Sequence, residues 1–222
     1  MPSRHRFLTV LLLISAAVPA SRPVAAQRDP SVVGLQLGFA RASIESFALA
    51  GTSTTLTLPD ARDGAHVGVY FRQRLLPVVW LQPELNFVLK GGAESFPGTG
   101  KVELELGYLE LPLMLRIAPK YRRKAIRPVI FGGPAVSFRI SCALSGTLPD
   151  SSWTSSCQEG PQGVDDAFTG VEASGIVGGG VELDRAGIAI ALEVRYSWSF
   201  TDVLTDGGGK NRFFALLFAL SL

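Results

Sequence analysis

The sequence predicts an all-β chain closed into an eight-stranded antiparallel transmembrane barrel. Three observations predict it: apolar residues at every second position in eight segments, long and short connections that alternate between them, and an N-terminal export signal. The 222 residues are 47% hydrophobic with a mean hydropathy of +0.28 and 24 glycines. After the first 26 residues, however, no window holds the 18 or more uncharged apolar residues of a membrane-spanning helix. Abundant but dispersed apolar residues suit strands with one face in lipid and the other in a polar lumen.

The signal comes first in the chain. Arg4 and Arg6 form a positive start, Phe7 to Val18 an apolar run of 12 residues, and Val24-Ala25-Ala26 a small-residue cleavage site before Gln27. Residues 1–26 are therefore expected to be removed through the general secretory route, leaving 27–222 as one barrel domain. Without Arg4, Arg6 and Arg22, the 21 basic residues fall to 18 against 19 acids. That balance gives no nucleic-acid-binding surface, which needs a local excess of Lys and Arg.

The strands follow in order. In Ser31 to Ser43, Val33, Leu35, Leu37 and Phe39 oppose Gly34, Gln36, Gly38 and Ala40. The second, near Ala65 to Leu75, sets Val67, Val69 and Phe71 against His66, Gly68, Tyr70, Arg72 and Arg74. The third, near Val79 to Lys90, sets Leu81, Leu85, Phe87 and Leu89 against Gln82, Glu84, Asn86 and Lys90. In the fourth, near Val102 to Ile117, Glu103 and Glu105 share one parity while Glu110, Met114 and Arg116 share the other. One inserted residue near Gly107-Tyr108 would return all these charges to one face, so a β-bulge is predicted there.

The fifth strand, near Pro128 to Ser141, points Ile130, Val136, Phe138 and Ile140 outward and Ser137 and Arg139 inward. The sixth, near Ala167 to Leu183, carries Val171, Ala173, Val177, Val181 and Leu183 against Glu172, Ser174 and Glu182, with Gly178-Gly179-Gly180 allowing bending or close packing. In the seventh, Ile188 to Ser199, Ile188, Ile190, Leu192, Val194, Tyr196 and Trp198 alternate with small and charged residues. The eighth, Arg212 to Leu222, aligns Phe214, Leu216, Phe218, Leu220 and Leu222. An even count permits closure with both ends on one side of a membrane.

Long links are expected at Glu45 to Gly64, Gly91 to Lys101, Cys142 to Asp166 and Phe200 to Asn211, and shorter ones at Leu76 to Val78, Ala118 to Arg127 and Asp184 to Gly187. Long loops face the exterior and short turns the periplasm in outer-membrane barrels. The middle turn, with Lys120, Arg122, Arg123, Lys124 and Arg127, reads as a solvated basic segment. Cys142 and Cys157, with 14 residues between them and no histidine nearby, read as a disulfide stapling the third long loop rather than a metal site.

The chain resembles the outer-membrane β-barrel domain family described as porin-like or PorT-like. The resemblance rests on Leu81-Gln82-Pro83-Glu84-Leu85-Asn86 with Lys90-Gly91-Gly92, Tyr108-Leu109-Glu110-Leu111-Pro112-Leu113, Pro128 to Phe138 with Gly132-Gly133-Pro134, Gly178-Gly179-Gly180-Val181-Glu182, and Leu192-Glu193-Val194-Arg195-Tyr196-Ser197. The sequence departs from many such barrels by ending in Leu222 rather than an aromatic. The resemblance implies fold and outer-membrane location; it brings no activity.

Candidate chemistry lies on the inward parity: Arg72, Arg74, Glu84, Glu103, Glu105, Glu110, Arg116, Arg139, Glu172, Glu182, Glu193 and Arg195. Eight strands leave a lumen just wide enough for side chains, so a charge network of Arg72, Glu84, Glu110, Arg116, Arg139, Glu193 and Arg195 is expected to fill it. The expected role is therefore a non-enzymatic structural, envelope or surface-interaction one; a narrow channel for small solutes is the alternative, and a lipid-modifying enzyme the second. His66 is the one histidine after the signal, with no interpretable Ser partner, and Glu84 and Glu110 could do acid and base work. No cofactor, metal or catalytic residue is assigned. A soluble barrel holding an apolar ligand would reverse every facing, and its interior would then have to hold all the large apolar side chains as well as the ligand. Expected partners are outer-membrane lipid, the barrel-assembly machinery and an extracellular ligand of the long loops. Tyr196, Trp198 and Phe200 at one end, with Trp80 and Phe71 at the other, are candidates for aromatic girdles, Trp80 being on the inward parity.

Overall fold

Alternation at period two gives strands whose two faces meet different surroundings, and here they close into a ring. The structure, a computed structural model, describes residues 31–45, 58–98, 100–119, 126–157, 168–185, 188–205 and 208–221. The signal segment 1–26, the basic residues Lys120, Arg122, Arg123 and Lys124, and Leu222 lie outside them. Among the described residues the strands are β1 (Ser31–Glu45), β2 (Asp60–Leu76), β3 (Val79–Phe96), β4 (Gly100–Ile117), β5 (Ile126–Leu148), β6 (Ser151–Ser156), β7 (Val171–Arg185), β8 (Ile188–Ser199) and β9 (Lys210–Ser221).

Eight of these form the barrel. Each pairs antiparallel with its neighbours in the order β1, β2, β3, β4, β5, β7, β8, β9, and β9 returns to β1. The ninth, β6, extends the sheet beyond the barrel rim by pairing Ser151 to Ser156 with Leu148 to Ala143 of β5. The third long link is thus partly a hairpin, closed by the Cys142–Cys157 disulfide.

The second long link is corrected. β3 runs to Phe96 and β4 starts at Gly100, so the expected loop from Gly91 is mostly paired strand, with Gly91 opposite Glu105 and Phe96 opposite Gly100. Gly98 takes φ +76° in this tight turn, a conformation that a side chain disfavours. The barrel strands therefore do not all end at one rim: β3, β4 and β5, with the added β6, rise together as a tongue.

The bulge lies at the predicted height, but its extra residue sits elsewhere. Gly107 opposes Ser141 and Tyr108 opposes Arg139, which leaves Ile140 of β5 unpaired, whereas β4 runs against β3 without interruption. The inward parity of β5 changes across this bulge, from Val129, Phe131, Ala135 and Ser137 to Cys142. In β4 the inward residues remain even-numbered throughout: Leu104, Leu106, Tyr108, Glu110, Met114 and Arg116. Glu103 and Glu105 consequently face outward, contrary to expectation.

Outside, Val33, Leu35, Leu37 and Phe39 on β1, Leu111, Leu113 and Leu115 on β4, Leu192 and Val194 on β8, and Phe214, Leu216 and Phe218 on β9 are exposed, Phe39 to 80%. A continuous apolar outer belt around a polar interior reverses the arrangement of a soluble protein and matches a hydrocarbon surround.

Candidate functional site

Inward residues of neighbouring strands meet across the lumen in two charged layers between two apolar ones. The charged layer nearer the turns is a closed circuit of hydrogen bonds. Arg72 of β2 donates to Gln82 (2.8 Å) and Glu182 (3.1 Å); Gln82 donates to Glu84 (2.7 Å). Arg195 of β8 donates to Glu84 (2.6 Å) and Glu193 (2.9 Å), and Arg116 of β4 to Glu193 (2.6 Å) and back to Glu182 of β7 (2.8 Å). Three arginines and three glutamates balance, and all are buried. Gln36 bridges Arg195, Glu84 and Asn86, and Arg127 adds a bond to Glu182 from the turn end.

The ring needs this closure because an ion removed from water is stabilised only when its remaining donors and acceptors also find partners. Phe131 fills the gap beside it, with the guanidinium carbons of Arg195 and Arg116 5.0 and 5.6 Å from its ring centre. Gly178 makes room for that ring: a Cβ there would come within 2.4 Å of it.

A second cluster lies nearer the loops. Lys90 bridges Glu172 (2.7 Å) and Glu110 (3.1 Å), Ser137 donates to Glu110 (3.1 Å), and Asn211 donates to Glu172. The Lys90 ammonium lies 4.9 Å from the Tyr108 ring and 5.1 Å from that of Phe213. His66 is buried beside Phe213, their ring centres 6.4 Å apart.

Two apolar closures bound these charges. At the loop end, Ile44, Leu58, Leu104, Leu106, Tyr108, Cys142, Cys157, Phe168, Val203 and Leu204 form one buried cluster, into which loop residues fold from above. At the turn end, Trp80 packs with Ala118 and Val129, and Arg74 lies 4.7 Å from its ring centre.

Six of the seven residues expected in the network, Arg72, Glu84, Glu110, Arg116, Glu193 and Arg195, are thus placed in the lumen clusters. Glu110 belongs to the Lys90 cluster and the other five to the ring. Arg139 stands apart: it donates to the Phe168 carbonyl (3.3 Å) and lies 5.9 Å from that ring, at the plug. Glu103 pairs with Lys101 (2.7 Å) on the outer surface of the tongue, and Glu105 with the largely buried Arg62 of β2. Lys90 and Gln36 were legible as polar faces of their strands, but their bridging roles depend on cross-lumen distances that no linear pattern carries. Trp80 faces the lumen and so leaves the girdle; Phe71 remains exposed.

This fold and lumen define a small transmembrane β-barrel filled by its own side chains. The outer membrane protein beta-barrel domain family matches residues 25–205, and the chain belongs to that family. Among solved structures it is similar to Neisserial surface protein A, with 13% identity over 86% of this chain and 96% of that one and a TM-score of 0.49. It is also similar to Ail of Yersinia pestis in complex with the heparin analogue sucrose octasulfate, with 11% identity over 86% and 99% of the two chains and a TM-score of 0.41. For the N-terminal β-barrel domain of Pseudomonas aeruginosa OprF the values are 10%, 85%, 96% and 0.33. At such identities these likenesses carry nothing about activity or partners. No curated protein matches the chain.

Proposed function

We propose that this outer-membrane barrel does not conduct and serves the envelope as a structural and surface-presenting protein. The observation that carries the reading is the double obstruction of the lumen, by the balanced ring of Arg72, Arg116, Arg195, Glu84, Glu182 and Glu193 and by the apolar plug above it. A permeating ion would have to break buried ion pairs and also cross a dry layer, and each of these is costly. Export through the secretory route and insertion by the barrel-assembly machinery belong to the same proposal.

Among the described residues, the tongue is a surface available for contact. Near its tip Phe96, Leu148 and Trp153 are partly exposed around a groove of about 280 Å³, a surface suited to an extracellular ligand. An enzymatic role draws no support from His66, which is buried in the lumen below the plug and away from acyl chains in the surrounding leaflet.

Planar-bilayer recording of the purified full-length barrel tests the reading. Flat current traces at moderate salt are the expected result; reproducible unitary steps would overturn it in favour of a small-solute channel.

A further inference from the structure

The outer belt ends at the loop side in a row of cross-strand neighbours. Tyr196 opposes Phe214, Phe214 opposes Arg41, and Arg41 opposes Asp63; one step higher, Trp198 opposes Arg212 and Arg212 opposes Ser43. Tyr196 and Trp198 stack with centres 6.1 Å apart, and Phe200 meets Trp198 edge-on at 6.1 Å. Exposed amphipathic aromatics in such a row mark the boundary between hydrocarbon and headgroups. Arg41 and Arg212, on the same outward parity as Phe39 and Phe214, are therefore held at headgroup height on adjacent strands.

A groove of about 360 Å³ lies between them, lined by Arg41, Ser43, Arg212, Tyr196 and Phe214 among others. We propose that this groove binds the phosphate of a phosphorylated glycolipid in the leaflet at the loop end, with Arg41 and Arg212 clasping the phosphate while Tyr196 and Phe214 support the tops of the acyl chains. The surface is continuous with the lipid-facing belt, so its occupant at this height is a lipid. The guanidinium fork matches phosphate oxygens, and the second arginine doubles the contact.

The present partners of both arginines leave that chemistry available. Arg41 meets Asp63 at 3.4 Å with both side chains mostly exposed, and Arg212 pairs with Glu45 with both about half exposed. Exposed pairs of this kind contribute little in water and yield to a dianionic competitor. Lys210, opposite Glu45, adds a third cation against the two carboxylates. Beside them Val194, Tyr196 and Trp198 give β8 an uncharged outer face, which fixes the headgroup against β1 and β9.

The test is lipid retention by the intact barrel in zwitterionic detergent, read by native mass spectrometry. The probes are phosphorylated lipid A, the same lipid dephosphorylated, phosphatidylglycerol and inorganic phosphate. The proposal expects preferential retention of phosphorylated lipid A. It also expects about fivefold weaker retention in Arg41→Gln or Arg212→Gln and roughly 30-fold weaker in the double variant. Both side chains project from the outer wall, and heat-modifiable migration confirms that the variants fold. Equal retention by the double variant, or of the dephosphorylated lipid, would overturn the site. Equal retention of phosphatidylglycerol would overturn the choice of glycolipid, and displacement by millimolar inorganic phosphate would overturn a lipid-specific one.

Discussion

The charged ring and the loop-end plug lie in one barrel and share β4, yet they fill the lumen by opposite means. Along β4 the two charged levels have Arg116 and Glu110 inside with Leu115, Leu113 and Leu111 outside; the plug level has Leu106 and Leu104 inside with Glu105 and Glu103 outside. The backbone parity does not change between them. What changes is the medium outside the wall. Beside lipid the outer face must be apolar and polar residues collect inside; above lipid, water takes the charges and the strand becomes amphipathic in the ordinary soluble sense. On β1 the same inversion separates Gln36 and Leu37, beside hydrocarbon, from Ala42, Ile44, Arg41 and Glu45, at headgroup height and above.

The largest effect should come from breaking the ring. Glu193→Ala leaves Arg116 and Arg195 each without one buried acceptor, at a cost of about 3–5 kcal/mol. The drop appears in the urea midpoint of the barrel in liposomes. Adding Arg116→Met to Glu193→Leu removes both buried charges of that link. Arg195 keeps Glu84 and Glu182 keeps Arg72 and Arg127, so the double variant should be more stable than Glu193→Ala. A double variant no better than the single one would mean that the ring acts only as a unit.

The plug should respond less, and through packing alone. Leu106→Ala removes methyl groups from a buried apolar cluster, worth about 2–4 kcal/mol and somewhat less where loop residues settle into the space. Faster proteolysis of the β5–β6 hairpin is the sensitive readout, since Cys142 and Cys157 anchor that hairpin in the plug. Conductance should stay absent, because the ring still closes the lumen below.

These two levels also mark where the sequence was readable. The belt strands were legible because period two and a constant medium act together, as in β8, where Leu192, Val194 and Tyr196 face out and Glu193, Arg195 and Ser197 face in. The plug was not, because charges at Glu103 and Glu105 look displaced when every strand is assumed to stand wholly in lipid; the bulge invoked to move them belongs to β5. Within the site, the identity of most inward charges was legible from parity. Their pairing was not: Lys90 meets Glu172 across 82 residues and Arg195 meets Glu84 across 111, distances set by barrel closure. The β6 strand, Ser-Ser-Trp-Thr-Ser-Ser, has too little apolar alternation to announce itself without the disulfide that pins it against β5.

The smallest effect sharpens the comparison most. Glu103 and Glu110 lie on one strand, each beside one lysine: Lys101 at 2.7 Å and Lys90 at 3.1 Å. Glu103 and Lys101 are about a third and nearly half exposed, so Glu103→Gln should change stability by less than about 1 kcal/mol, an effect that salt would screen away. Glu110→Gln removes a carboxylate charge from beside a fully buried ammonium and puts an amide N–H where an acceptor stood, so it should cost several times more, with no salt dependence. Urea titrations of the two variants at low and high salt measure both differences. If Glu103→Gln costs as much as Glu110→Gln, the outer wall of the tongue is not in water, and the inversion of facing along β4 needs a cause other than the change of medium.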